Sequence, residues 1–310
     1  MSKILYILGN GFDIFHGLPT SYRCFLCYMQ RTHPLEVKSL GFMFDRNDPY
    51  KLWSNFEEEL ESFDVLELVK NNIGEWIKLS KKDFYNLFEN IHSALQEYFH
   101  EWILQTPMGV DNGKRLPLNK NALFLNFNYT NTLEDFYHID SANICHIHGN
   151  TMQNQICKPI AGHSRTKNCV EKDKCKVYKF IRDYGQFPQW AKGVEDFAEV
   201  VLKELNELWD GLAKEPKNQI VDNKIHTIRD NRWFFDKCCK LEDIYVMGCS
   251  LGIVDKDYFK EIYESSPNAK WHISIYSEKE SEVNEKLANL LNRKVENLHI
   301  DTFKMDELLK

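Results

Sequence analysis

Short, almost unbroken apolar runs alternate along this chain with stretches in which apolar residues return every three or four positions. The first run, Ile4–Leu8, goes straight into Gly9-Asn10-Gly11-Phe12-Asp13 and then Gly17-Leu18-Pro19-Thr20. Further runs occupy residues 122–127, broken by Asn126, and residues 144–147, 243–247 and 271–276, with a last short one near 298–301. Apolar runs of about four to eight residues bounded by glycine or polar residues read as strands buried on both faces. Between them the spacing predicts helices. Thr20 stands as the N-cap of one through Tyr22, Phe25, Leu26 and Met29, with Pro19 fixing its entry. Trp53, Phe56, Leu60 and Phe63 predict a second, and Phe84, Leu87, Phe88, Ile91, Leu95, Tyr98, Phe99 and Trp102 a third. Others are expected around Leu133 and Phe136, over 194–209, 258–264 and 278–291, and at the C-terminus. Strands alternating with helices predict an α/β fold, a Rossmann-like parallel sheet with helices on both faces. Residues 150–231 are more polar and read as a helical or irregular insertion between two parts, 1–149 and 232–310, of one α/β domain.

Composition narrows the class. With 310 residues, 43% hydrophobic and 27% charged, the chain is globular in character and has no apolar run long enough to span a bilayer. No signal-peptide pattern precedes the glycines, so a cytoplasmic location is expected. Lys+Arg 39 against Asp+Glu 46 gives a net charge of −7, which works against nonspecific binding to nucleic acid or an anionic membrane. The basic cluster at 167–179 includes Glu171 and Asp173 and reads as a solvated face. Nine cysteines are scattered without a framework, and the stretch Cys145, Cys157, Cys169 and Cys175 lacks the short knuckle spacing of structural zinc sites. Free thiols are expected.

In open parallel sheets, ligands bind at the carboxyl ends of the strands. The unusual residues fall there: Gly9-Asn10-Gly11, Asn126 with Asn128, His146 with His148, and Gly248-Cys249-Ser250. The glycine turn can leave N–H groups open to a phosphate, with the next helix aimed at the same point, or it can be a tight turn of the kind any α/β protein needs. Its spacing is not that of the Rossmann fingerprint, because no glycine follows three residues after Gly11. Asn128 reads alone as an Asx turn and His148 as a histidine at a strand exit. Taken together, these segments supply a phosphate cradle, a carboxamide for a ribose or a water, and a base that titrates near neutral pH. His146 and His148, two apart on a strand, also permit a metal pair, with His163 as a third ligand. No metal is expected, because no acidic or cysteine partner follows at a ligating distance in sequence.

Gly9-Asn10-Gly11-Phe12-Asp13 with Gly17-Leu18-Pro19-Thr20-Ser21-Tyr22, Phe127-Asn128-Tyr129-Thr130-Asn131-Thr132-Leu133-Glu134, His146-Ile147-His148-Gly149, and Gly248-Cys249-Ser250-Leu251-Gly252 with Asp255 and Tyr258-Phe259 resemble the bacteriophage abortive-infection AbiH family from end to end. The motif order is similar to that of the sirtuin-like NAD-binding superfamily. That resemblance implies an antiviral defence role and a nucleotide pocket. Gly9, Asn10, Gly11, Phe12, Asp13 and Pro19 would bind the cofactor from the first motif, Thr130 from the second, and Gly248, Ser250 and Leu251 from the last. It implies catalytic roles for Asn128, matching an asparagine that contacts the nicotinamide ribose and helps activate water, and for His148, matching a histidine that precedes a glycine at a strand end. The chain departs from the pattern in having Asp13 where sirtuins carry a serine, Thr130 in place of an aspartate, and no paired Cys-x-x-Cys module of the protein deacylases.

The expectation is therefore a phage-defence protein that binds NAD or a related nucleotide and hydrolyses its N-glycosidic bond as a glycohydrolase. Two alternatives stay open: a nucleotide-binding sensor or interaction protein without turnover, and a metal-dependent, nuclease-like toxin using His146, His148 and His163. A hydrolase of this kind needs restraint, so a phage trigger, a regulatory partner or self-assembly into a homo-oligomer is expected. No membrane partner is expected.

Overall fold

The computed structural model describes residues 3–44, 64–93, 97–106, 109–149, 168–213 and 223–309. The chain forms two compact units, one from residues 1–21, 103–158 and 222–310 and the other from 22–102 and 159–221. No helix among the described residues is long and apolar enough to cross a membrane.

The first unit holds the sheet. Its strands are β1 (Ile4–Leu8), β2 (Leu123–Asn126), β3 (Ile144–His146), β4 (Asp243–Met247), β5 (Lys270–Ser274) and β6 (Ile300–Phe303). They lie in the order β3-β2-β1-β4-β5-β6, every neighbour parallel. The chain lays down β2 and β3 on one side of β1 and then returns to the other side for β4. This is the strand order of doubly wound dinucleotide folds, with the reversal at β1 and β4. Alternation divides the apolar side chains between two faces. Leu5 and Ile7 join Leu125, Val246, Phe259, Trp271 and Leu287 on one face. Tyr6 and Leu8 join Phe12, Phe124, Leu133 and Tyr137 on the other. Helices Lys256–Ser265 and Glu280–Leu291 cover the first face, and Asn10–Phe15 with Thr132–Asp135 contribute to the second. Both faces are therefore buried at the central strands β1 and β2, and for that reason these read as apolar runs rather than alternating ones.

The second unit is helical. Asn168–Tyr184 packs on Val194–Ala213 and Val65–Trp76, and Lys81–Ser93 packs on Pro34–Phe44 and Val194–Ala213. Trp76, Phe84, Phe88, Trp190 and Phe197 meet ring to ring in its core, and the Trp190 indole donates to the Leu79 carbonyl at 3.0 Å. Asp64 starts Val65–Trp76 by accepting from the N–H groups of Leu66 and Glu67.

Several expectations change. The helical unit draws on 22–102 as well as on part of 150–231, because the amphipathic faces of Val65–Trp76 and Lys81–Ser93 find their apolar partners in the later helices. Helix Asn223–Asp230 belongs to the sheet unit. Of the helix expected over Phe84 to Trp102, the described residues include helical Lys81–Ser93 and Phe99–Gln105, and the one expected over Trp53 to Phe63 lies outside the described residues. The charged stretch after Lys167 is the helix Asn168–Tyr184, with Lys174 and Lys176 exposed and Lys176 paired with Asp173 at 3.0 Å. The C-terminal helix reduces to the 3-10 turn Met305–Leu308.

Candidate functional site

The carboxyl ends of β1, β2, β3 and β4 bring the motif residues to one edge of the sheet. At the reversal point, parallel pairing continues past the strand ends. The Gly9 N–H donates to Met247 O and the Gly11 N–H to Gly248 O, each at 2.9 Å, and the Phe12 N–H turns back to Gly9 O at 2.9 Å. The open N–H groups expected at this turn are thus committed within the protein at Gly9, Gly11 and Phe12. The glycines serve close approach instead. A Cβ on Gly9 would lie 2.6 Å from Gly248 O, and one on Gly11 2.7 Å from the Gly248 Cα. Gly248 adopts φ +65, and a Cβ there would lie 2.1 Å from the Phe12 nitrogen.

The residues between the first glycines and the next helix are latched together. Asn10 accepts from the Thr20 hydroxyl at 2.6 Å and donates to the Thr20 carbonyl at 3.0 Å. Thr20 is therefore a latch, and the helix it was expected to cap begins at Tyr22. Phe12 is buried in the core against His16 and Tyr137. His16 is buried as well: its Nδ1 lies 2.7 Å from Phe12 O, its Nε2 lies 2.6 Å from the Tyr137 hydroxyl, and burial lowers its pKa. Pro19 is exposed.

Asp13, 1% exposed, has both carboxylate oxygens engaged. The Thr130 hydroxyl donates to one at 2.6 Å and the Thr132 hydroxyl to the other at 3.1 Å. Burial pushes the carboxyl up to about 6, against the two threonine hydrogen bonds, which favour its ionised form. Asp13 and Thr130 are therefore partners, and Asp13 is turned into the protein.

Asn128 follows β2. Its backbone N–H donates to Asn126 Oδ1 at 3.1 Å, and its side-chain amide donates to Gly9 O at 3.1 Å. The Asn128 loop is thereby tied to the β1 turn. His148 lies just past the end of β3 and is buried, and Gly149 turns the chain with φ +80. The His148 ring sits 5.5 Å from Phe127 and 6.1 Å from Tyr129, the residues on either side of Asn128, and 6.5 Å from Tyr258. The two candidate catalytic segments are thus adjacent. After β4, the Gly248 N–H donates to the Ser274 hydroxyl at 2.9 Å, Leu251 is buried with φ +56, and Ser250 is exposed. Burial raises the Cys249 thiol well above its ordinary range, which keeps it protonated and poorly nucleophilic.

His146 and His148 do not share surroundings. His146 Nε2 is held by Glu134 at 2.7 Å, whereas His148 packs among aromatic rings. Among the described residues there is no group of three or more histidine, cysteine, aspartate or glutamate residues suited to a metal ion; His163 lies outside those residues. Cys24 and Cys27 form one Cys-x-x-Cys spacing, on helix Tyr22–Thr32, that the sequence reading passed over. Neither enters a disulfide, nor do Cys145, Cys175, Cys238, Cys239 and Cys249. The sequence reading also missed the Glu134–His146 pair and a cavity of about 160 Å³ lined by Val110, Asn131, Thr132, Asp135 and Phe136, beside the Asp13 clamp. The pairing register, which sets Asn126 opposite His146, is the signal that locates the pair, and a single sequence does not carry it.

A family model described as bacteriophage abortive infection AbiH matches residues 5–276. The chain belongs to the AbiH family. That membership points to a role in bacteriophage abortive infection, and the matched span takes in the edge residues described above, from Gly9 through Asn128 and His148 to Ser250. Comparison with curated proteins and with solved structures gives no match.

Proposed function

We propose that this AbiH family member binds NAD or a closely related nucleotide at the carboxyl edge of its sheet and hydrolyses the bond between the ribose and the base. The observation that carries the reading is the juxtaposition of Asn128 and His148. Neighbouring strands deliver them to one edge, and the rings flanking Asn128 pack against the His148 imidazole. The β1/β4 reversal beside them is where doubly wound sheets take dinucleotides. The Asp13–Thr130 hydrogen bond adds support. The sirtuin-like pattern carries serine and aspartate at these places, and here carboxylate and hydroxyl have exchanged positions and still meet, at 2.6 Å. A buried Asp13 bonded to two hydroxyls does not confront a pyrophosphate as an exposed anion would.

The residues fit the ribose end of such a substrate through the Asn128 carboxamide and the His148 imidazole, and the phosphate end through the exposed Ser250 hydroxyl. In the hydrolysis, the bond between the ribose carbon and the pyridinium nitrogen breaks with its electron pair going to the nitrogen, so nicotinamide leaves neutral as positive charge passes to the ribose ring. Asn128, fixed by Gly9 O, orients the sugar or the attacking water. His148 accepts the proton from a ribose hydroxyl or that water, and the surrounding Phe127, Tyr129 and Tyr258 rings keep bulk solvent from competing. Loss of a shared nucleotide pool would halt phage growth in the infected cell, and control by a phage trigger, a partner or self-assembly would keep the activity off before infection.

A second reading, a nucleotide sensor without turnover, is favoured by the committed N–H groups of Gly9 and Gly11. Purified protein incubated with NAD separates the two. Release of free nicotinamide that falls at least tenfold in His148→Ala is the expected result. Binding without release supports the sensor, and neither binding nor release, with or without a phage trigger, overturns the proposal. Release abolished by a chelator would favour the metal-dependent toxin.

A further inference from the structure

Around Asn128 the structure holds a second set of buried polar groups. Glu134 Oε1 lies 2.7 Å from His146 Nε2, with the two side chains 18% and 9% exposed. The other face of the imidazole, Nδ1, lies 3.4 Å from both the Asn126 side-chain nitrogen and the Asn128 carbonyl oxygen. Asn126 Oδ1 in turn accepts the Asn128 N–H at 3.1 Å. The second Glu134 oxygen, Oε2, is buried with no hydrogen-bond partner among the described residues.

We infer that His146, oriented by Glu134, is the positioning residue that holds the Asn128 peptide and so fixes its carboxamide at the edge. The inference deepens the function proposed above, since Asn128 is the group that reading assigns to the sugar. The chemistry follows from the two nitrogens. With Nε2–H donated to Glu134, a neutral ring offers Nδ1 as an acceptor to the Asn126 amide, and a protonated ring offers Nδ1–H as a donor to the Asn128 carbonyl. In either state the imidazole grips the segment from Asn126 to Asn128, from the amide at one end or the carbonyl at the other. Glu134 is what keeps Nδ1 turned inward, because a carboxylate bonded to one ring nitrogen fixes the tautomer and the ring orientation together. A buried carboxylate with one oxygen unpartnered is costly unless a close donor compensates it, so the pair persists as a unit. Nδ1 is directed at backbone and amide groups of the protein, which suits His146 to holding Asn128 rather than to reacting itself.

The test uses the full chain with ¹⁵N-labelled asparagine and reads the Asn128 side-chain amide by NMR, alongside NAD binding and nicotinamide release. In His146→Gln and Glu134→Gln, the Asn128 amide is expected to exchange with solvent at least tenfold faster while the melting temperature stays within a few degrees. Nicotinamide release should fall at least tenfold in kcat with little change in KM. His146→Asn, which can still donate at the Nδ1 position, is expected to restore part of the protection. An Asn128 amide unchanged in both variants overturns the inference, whatever happens to activity. Absence of nicotinamide release from the unaltered protein overturns the proposed hydrolysis instead, and the amide measurement still decides the role of His146. Should His146→Gln fail to fold, Glu134→Gln carries the same readout.

Discussion

Asp13 places a carboxyl group where burial works against its charge. Its folded-state value of about 6 lies above the ordinary 3.8, so the folded protein holds this proton more tightly than the unfolded chain. The sign follows: the contribution to stability is full below about pH 3.8 and is lost as pH rises through about 6. A shift of this size corresponds to roughly 3 kcal/mol, an order-of-magnitude figure. Asp13→Asn removes the titration, so the stability of the unaltered protein relative to the variant is expected to fall between pH 4 and pH 7, as read by urea denaturation at several pH values. A flat difference would place Asp13 in water. The Asp13–Thr130 hydrogen bond makes a second prediction. In a double-mutant cycle with Asp13→Asn and Thr130→Val, the coupling is expected to be about 1–3 kcal/mol, as for residues sharing one buried network. This pair was hidden in the sequence. Asp13 and Thr130 each read as a departure from a pattern, and nothing in the linear order says that residues 117 positions apart meet.

The loops at the strand ends work as interlocked elements. Gly9 and Gly11 after β1 and Gly248 after β4 sit backbone to backbone, and Gly248 adds a positive φ. Gly248→Ala must both clash with the Phe12 nitrogen and take a left-handed conformation. It is expected to cost about 1–3 kcal/mol from overpacking alone, with more from the backbone. Gly41→Ala, with nothing within 4 Å of the added Cβ, is the control and should leave the denaturation midpoint nearly unchanged or raise it. β1, β2, β3 and β4 were legible in the sequence because their apolar runs end in glycine or polar residues; β5 alternates, with Lys270 exposed and His272 and Ser274 half-buried, and β6 carries an exposed Asp301. The lateral order of the strands was not legible, since parallel neighbours leave no mark in either strand's own sequence. The glycine motif was legible as a turn, but its use was not: whether N–H groups face a ligand or the next strand depends on the β1–β4 pairing.

At the scale of the whole molecule, the helical unit is assembled from two separate stretches of chain. Its helices come from 22–102 and 159–221 because their apolar stripes complete one another across a long sequence separation. Membership of the AbiH family was legible from the motifs, which keep their order over nearly the whole chain. What the edge of the sheet does to a nucleotide is best measured where abortive infection happens. Cells expressing the full chain, Asn128→Ala or His148→Ala are infected with a phage against which the unaltered protein protects, and NAD and nicotinamide are quantified over the infection. The unaltered protein is expected to bring a collapse of NAD matched by a rise in nicotinamide, and either variant at least a tenfold slower change. Protection with NAD unchanged would contradict the proposed hydrolysis.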